Sequence, residues 1–215
     1  MEFLSQCISL FHKGGPVMYL LVLCSLAVIA IATERFLYYR SISSDTQAFL
    51  EKLQPLLERQ RFSEALQLCE QTPKVINQVA LEGLHAYQRD SNIENALESA
   101  AQLSAARLRQ SLNFLSAIVT LAPLFGLLGT VIGMISSFSV FNVQSGQPMA
   151  ITGGVGEALI ATATGLTVAV MALLSHTYFS HRLDLMVTNM EQVCATVLNH
   201  LLAKKSGRRE THEIA

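Results

Sequence analysis

Residues 112–141 read LNFLSAIVTLAPLFGLLGTVIGMISSFSVF and contain no formally charged side chain. A helix of about 20 apolar residues crosses a hydrocarbon core about 30 Å thick, so this stretch is long enough to span a membrane. Residues 17–36 and 155–179 are apolar stretches of the same kind. Apolar residues make up 51% of the chain and charged residues only 14%. The sequence therefore predicts an all-α integral membrane protein with three transmembrane helices.

The first apolar stretch has a second interpretation, a cleaved signal peptide. Ala30-Ile31-Ala32 has the small residues that precede a cleavage site, and Lys13 comes before the apolar run. Arg35 and Arg40 follow that run at once, and such flanking positive charges anchor the cytoplasmic end of a retained helix. We therefore favour a transmembrane helix over residues 17–36.

The distribution of Lys and Arg predicts the orientation in the membrane. Nine of the 15 lie between residues 35 and 109, and none lies in residues 142–156. Because positive residues accumulate on the cytoplasmic side, we expect the N-terminus outside and the C-terminus inside. The predicted organisation is a periplasmic N-terminus (1–16), a first span (17–36), a cytoplasmic helical domain (37–111), a second span (112–141), a periplasmic loop (142–154), a third span (155–179), and a cytoplasmic helix and tail (180–215).

Helical periodicity continues beyond the second and third spans. Ser91-Asn92-Ile93-Glu94 resembles a capping box, in which the Ser oxygen accepts from one free backbone N–H and the Glu from another. No helix breaker follows until Pro123, and apolar residues keep the helical period after the third span to about Ala203. Spans two and three are therefore predicted to extend as long helices into the cytoplasm.

Spans two and three each carry a stripe of small residues. Such residues let helix backbones approach closely, which favours helix association in a membrane. We therefore expect these two spans to pack against each other and against copies of themselves. The packing residues predicted are Gly126, Gly129 and Gly133 in span two, and Ala158, Ala161 and Gly165 in span three.

Glu157 is the only formally charged residue between Gln110 and Phe179. A carboxylate in a membrane span is energetically costly, so it is a functional hypothesis by default. Two placements of Glu157 within its helix remain open. A helix that begins at Val155 puts Glu157 at its mouth, where it could serve packing. A helix that begins nearer Met149 puts it about 12 Å further in and favours a buried proton or cation site.

Thr130 and Thr162 are polar residues on the same two spans, where hydroxyl groups either join helices or line a wet path. Hydroxyls do not hold a proton, so one Glu makes a poor path across the whole membrane. A partner subunit would have to supply another titratable group. The chain has no Cys-x-x-Cys and no His at metal spacing. We expect no enzymatic activity, no metal, no cofactor besides protons as the coupling ion, and no nucleic-acid partner.

Two segments in these spans resemble the signature spans of the MotA/TolQ/ExbB proton-channel family. They are APLFGLLGTVIGM (122–134) and GEALIATATGL (156–166). The segment GGPVMY (14–19), with Glu34-Arg35 and EALQLCE (64–70), resembles the ExbB branch in particular. The family often has a proline late in the third span, and Val170-Met171-Ala172 lacks it, so no kink is expected from a proline there.

The resemblance implies a motor subunit of the bacterial inner membrane that couples proton flow to TonB-dependent transport across the outer membrane. It implies a homopentamer around the single spans of two ExbD-like or TolR-like subunits that supply an Asp, with a TonB-like protein and membrane lipid as further partners. The channel residues carry over to Thr130, Glu157 and Thr162. The alternatives are a TolQ-like subunit of the Tol-Pal envelope motor and a helical scaffold that conducts nothing.

Overall fold

The computed structural model describes residues 15–42, 46–71, 74–143 and 148–213, with the side chains of 15–42, 46–71, 74–139 and 153–202. Every regular element in these residues is an α-helix. The helices are α1 (Val17–Ile42), α2 (Thr46–Glu58), α3 (Phe62–Gln71), α4 (Val75–Gln88), α5 (Ile93–Val143) and α6 (Pro148–Glu213). Three helices are long and apolar enough to cross a membrane, which confirms the predicted fold class.

Helix α5 begins one residue later than the predicted capping box requires. Asn92 caps it, since its side-chain oxygen accepts the Asn95 N–H at 3.1 Å. The Ser91 hydroxyl instead donates to the Ala86 carbonyl at 3.0 Å. Asn caps a helix as well as Ser does, and it stands one residue closer to the helix. The assignment of the cap to Ser91 was therefore wrong.

The connection between the second and third spans is shorter than the predicted loop, residues 142–154. Helix α5 continues to Val143 and α6 begins at Pro148. Proline suits the first position of a helix, where its missing N–H costs nothing. Residues 144–147 of the predicted loop, and residues 1–14 of the predicted periplasmic N-terminus, lie outside the described residues. At its other end α6 continues past Ala203 to Glu213.

The chain divides into two compact units. The first, here called the three-helix bundle, comprises residues 15–36 and 111–179. Its core joins α1 to α5 and α6 through a cluster of buried side chains: Met18, Leu21, Ala122, Val168 and Ala169. The opposite side of α1 exposes 64% of Tyr19 and 66% of Leu23, so this helix contributes one packed side and one large apolar surface.

Arg35 also connects α1 to α5 within the bundle. Its side chain is buried, donates a hydrogen bond to the Ser111 hydroxyl, and lies 3.7 Å from a Glu34 carboxylate oxygen. Glu34 itself is 63% exposed. Arg35 agrees with the positive charge expected to flank a span. A guanidinium that leaves water needs hydrogen-bond and charge partners, and Ser111 and Glu34 are those partners here.

The second unit, here called the helical domain, comprises residues 37–110 and 180–213. Large apolar side chains form its core: Leu53, Val79, Leu84, Leu97, Leu108, Leu183, Met190, Val193, Val197 and Leu201. The Tyr39 hydroxyl donates to the Leu108 carbonyl at 3.1 Å, and the rings of Phe62 and Tyr87 stack at 5.1 Å. Left-handed residues Gln60 and Asp90 form the tight turns before α3 and α5.

Candidate functional site

Small residues bring the backbones of α5 and α6 into contact in the bundle. A Cβ added to Gly126 would lie 3.1 Å from the Thr162 Cα, and one added to Gly165 would lie 2.9 Å from the Gly126 Cα. Further along, a Cβ on Gly133 would lie 3.2 Å from the Ala158 Cβ, and one on Gly129 would crowd the Ala161 Cβ. Later residues of α5 contact earlier residues of α6, so the two helices pack antiparallel with their small residues facing each other.

Glu157 lies well inside α6 rather than at its start. The helix begins nine residues earlier at Pro148, which is about 13 Å along the axis at about 1.5 Å per residue. The side chain is half-buried. Of the two positions left open by the sequence, the helix boundary favours the deeper one over the helix mouth.

The Glu157 carboxylate packs against Gly15, two residues before the start of α1. A Cβ added to Gly15 would lie 3.0 Å from the Glu157 Cδ and would overlap one of its carboxylate oxygens. Gly15 has a φ of 69°, in the left-handed region that glycine adopts most easily. The N-terminal end of α1 therefore forms one wall of the space around the carboxylate.

The hydroxyls of Thr130 and Thr162 have different partners. The Thr162 hydroxyl lies 3.2 Å from the Gly126 carbonyl across the helix interface and 3.3 Å from the Ala158 carbonyl of its own helix. The Thr130 hydroxyl donates to the Leu127 carbonyl at 2.6 Å within its own helix. Thr162 thus joins α5 to α6 in this arrangement, whereas Thr130 does not.

The three predicted channel residues therefore share one bundle without forming one hydrogen-bonded cluster. Thr162 comes five residues after Glu157 on α6, about 7.5 Å along the helix axis. Thr130 neighbours Gly129, which packs on Ala161 rather than on Glu157. In the described part of the chain, no hydrogen bond connects Glu157 to either threonine. A proton path through all three would need water or a partner group between them.

A match to a known protein family covers α5 and the greater part of α6. The model of the MotA/TolQ/ExbB proton channel family matches residues 70–192, which is more than half of the chain. The chain belongs to the MotA/TolQ/ExbB proton channel family. The resemblance drawn from residues 122–134 and 156–166 is thereby confirmed, and both segments lie within the match.

Individual relatives carry the names of two branches of this family. A biopolymer transport protein ExbB homolog of Methanothermobacter thermautotrophicus is 28% identical over 194 residues, 89% of this chain and 69% of its own length. The ExbB-like 1 protein of Synechocystis is 35% identical over 171 residues, 76% of this chain and 66% of its own. The Tol-Pal system protein TolQ of Pseudomonas aeruginosa is 34% identical over 96 residues, 44% and 42% of the two chains. This chain thus spans about two thirds of the length of the first two.

Family membership and the three apolar helices together make this a multi-pass membrane protein of a proton channel family. Two contacts in its bundle were missed by reasoning from the sequence. Gly15 stands in a segment that pointed to the ExbB branch, but nothing in it indicated contact with Glu157. The bond from Arg35 to Ser111 joins residues 76 positions apart, which no helical period can reveal.

The cysteines of the helical domain are poor nucleophiles. Burial raises the pKa of the Cys69 thiol to about 12, with a further contribution from the nearby Glu70 carboxylate. Burial, reinforced by the charge of Glu191, also raises the pKa of Cys194. Because the thiolate is the reactive form, both thiols stay protonated and unreactive at neutral pH. Their position in the packed domain agrees with a structural role.

A groove of about 380 Å³ lies between α5 and α6 within the helical domain. Leu97, Met190 and Cys194 are among the residues that line it. Glu94, Glu98 and Glu191 supply the only formal charges among its lining residues, all of them negative. This charge opposes the binding of phosphate groups, so the groove is unsuited to nucleotides and nucleic acid.

Proposed function

We propose that this chain is the ExbB-like proton-channel subunit of an energy-transducing complex in the bacterial inner membrane, and that the complex couples the proton motive force to TonB-dependent transport across the outer membrane. The observation that carries the proposal is Glu157, the only formally charged residue between Gln110 and Phe179. It is half-buried and lies nine residues inside its helix. A carboxylate in a membrane span costs free energy, so its presence there points to a function.

In this proposal Glu157 binds and releases the transported proton, and Thr130 and Thr162 line the path beside it. Thr162 can do so only when its hydroxyl leaves the Gly126 carbonyl or shares it with water. The second titratable group comes from the single span of an ExbD-like subunit, enclosed by five copies of this chain. The N-terminus lies in the periplasm and the helical domain in the cytoplasm, in accord with the excess of Lys and Arg in residues 35–109.

The energy available per proton is modest. A membrane potential of about 150 mV supplies about 3.5 kcal/mol for each charge that crosses. That amount is enough to bias one conformational step but not to unfold a large domain. We therefore expect several protons to cross for each cycle of work on the TonB-like partner.

The experiment replaces Glu157 in cells that depend on a transported iron chelate. Glu157→Ala and Glu157→Gln should both abolish uptake, because neither side chain can titrate. Glu34→Gln is the matched control: that carboxylate is 63% exposed and lies 17 residues after the start of α1, so its loss should leave uptake near normal. Near-normal uptake by Glu157→Gln, with complex levels unchanged, would show that the residue only packs.

The TolQ-like role is the second candidate, because a TolQ protein is 34% identical to part of this chain. The two roles share the channel and differ in the partner. Copurification from native membranes distinguishes them: a single-span ExbD-like protein supports the TonB system, whereas a TolR-like protein supports the envelope motor. Recovery of no single-span protein would instead support the non-conducting scaffold.

A further inference from the structure

Gly15 belongs to the surroundings of Glu157, although 142 positions separate the two residues in the sequence. The Glu157 carboxylate occupies the space that any other residue at position 15 would fill with its Cβ. That Cβ would overlap a carboxylate oxygen and lie 3.0 Å from Cδ and 3.5 Å from Cγ. The contact therefore extends along the outer half of the Glu157 side chain.

The position of Gly15 is itself determined by its neighbours. Its carbonyl accepts the Met18 N–H at 3.2 Å, which forms the first turn before α1, and Met18 is buried in the core cluster of the bundle. The next residue but one, Val17, is also buried, and a Cβ on Gly129 would lie 3.7 Å from the Val17 Cβ. The chain just after Gly15 is thus anchored to α5 and α6.

We propose that Gly15 is a positioning residue for the proton site: its bare Cα leaves the space in which the Glu157 carboxylate lies, so the start of the first helix influences where that carboxylate points. This functional role rests on the proposed function, in which Glu157 carries the proton. It assigns the start of the first helix a part in the site.

A double-mutant cycle tests the contact. Gly15→Ala and Glu157→Ala are made singly and together in the full chain, and the midpoint of thermal unfolding is measured on the complex purified with its single-span partner. Gly15→Ala should lower the midpoint in the native background and lower it clearly less when the carboxylate is absent. The strain of a left-handed alanine is the same in both backgrounds, so it cancels and only the contact remains. Equal shifts in the two backgrounds would overturn the proposal.

Gly153→Ala is the control for inserting a methyl group. Gly153 lies on α6 one turn before Glu157, and an added Cβ there meets no atom within 4 Å. It should change neither the midpoint nor uptake. Gly15→Ala, in contrast, should reduce energised uptake by about tenfold to 100-fold, since a misplacement of about 1 Å at a reacting group has that effect. Normal uptake by Gly15→Ala would overturn the positioning role.

Glu157→Asp supplies a second background in case Gly15→Ala prevents assembly. Its side chain is one methylene shorter, which withdraws the carboxylate oxygen that a Cβ at position 15 would overlap. Adding Gly15→Ala to Glu157→Asp should therefore reduce assembly and uptake by less than it does in the native chain, and an equal or larger loss would overturn the proposal. Normal uptake by Glu157→Ala would overturn the proposed function instead, and the unfolding cycle would still decide whether the contact exists.

Discussion

Helices α5 and α6 pack against each other by different means in the two units of the molecule. In the three-helix bundle the buried positions of this pair hold mainly small residues: Ala122, Gly126, Gly129, Gly133, Ala158, Ala161, Gly165, Ala169 and Ala172. In the helical domain the buried positions of the same two helices hold large ones: Ile93, Leu97, Leu108, Leu183, Met190, Val193, Val197 and Leu201. The change falls between Leu115 and Ala122 on α5, and between Ala172 and Phe179 on α6.

The difference follows from the solvent in which each part folds. In water, burying a large apolar side chain gains about 1.5–3 kcal/mol, so large residues make the better core. In a bilayer the lipid tails are as apolar as leucine, and helices associate through close backbone contact between small residues. The change in residue size along each helix therefore indicates where the chain passes from lipid to water.

The largest expected effect comes from placing a large residue in the bundle. Gly165→Leu should abolish the folded complex, because an added Cβ already lies 2.7 Å from the Ala122 carbonyl oxygen and the backbone of α5 cannot move aside. The loss should exceed the usual overpacking cost of about 1–3 kcal/mol. The mass of the oligomer in mild detergent shows whether the complex still forms.

Gly156→Leu is the matched control for that substitution, because nothing lies within 4 Å of an added Cβ there. A Gly165→Leu complex of unchanged mass would show that close approach of these helices is not required. The comparison between the two units would then lose its physical basis.

A smaller effect is expected from the converse change in the helical domain. Leu97→Ala removes a side chain that is 2% exposed, and the cavity should cost about 2–5 kcal/mol of unfolding free energy. Leu103→Ala on the same helix, where the leucine is 55% exposed, should cost far less. Chemical denaturation followed by circular dichroism measures both variants. Equal costs would mean that burial does not stabilise this unit.

Much of the fold could be predicted because it is encoded locally. Apolar length identified three spans, and continuous periodicity joined the second and third to long extensions. The predicted loop 142–154 is longer than the interval between the two helices, because α5 continues to Val143 and Pro148 begins α6. Glu157 stood out as a single charge in an apolar stretch. Its contact with Gly15 could not be foreseen, since it depends on how α1 packs on the other two helices.

The smallest expected effect on stability concerns the two threonines. Thr162→Val removes a hydrogen bond across the helix interface, and such bonds are worth about 0.6 kcal/mol in membrane proteins. Thr130→Val removes only a bond within its own helix and should cost less. The complex should therefore survive both changes. Uptake should nevertheless fall if these hydroxyls line the proton path, and full uptake by the double variant would exclude both from it.

Proton flux through the purified complex is the most direct test of Glu157. The chain is reconstituted with the proposed single-span partner in liposomes, a membrane potential is imposed with potassium and valinomycin, and a pH-sensitive dye reports proton entry. The native and Glu34→Gln complexes should conduct, and Glu157→Gln should reduce flux to that of empty liposomes. Undiminished flux through an assembled Glu157→Gln complex would contradict the assignment of Glu157 as the proton-carrying group.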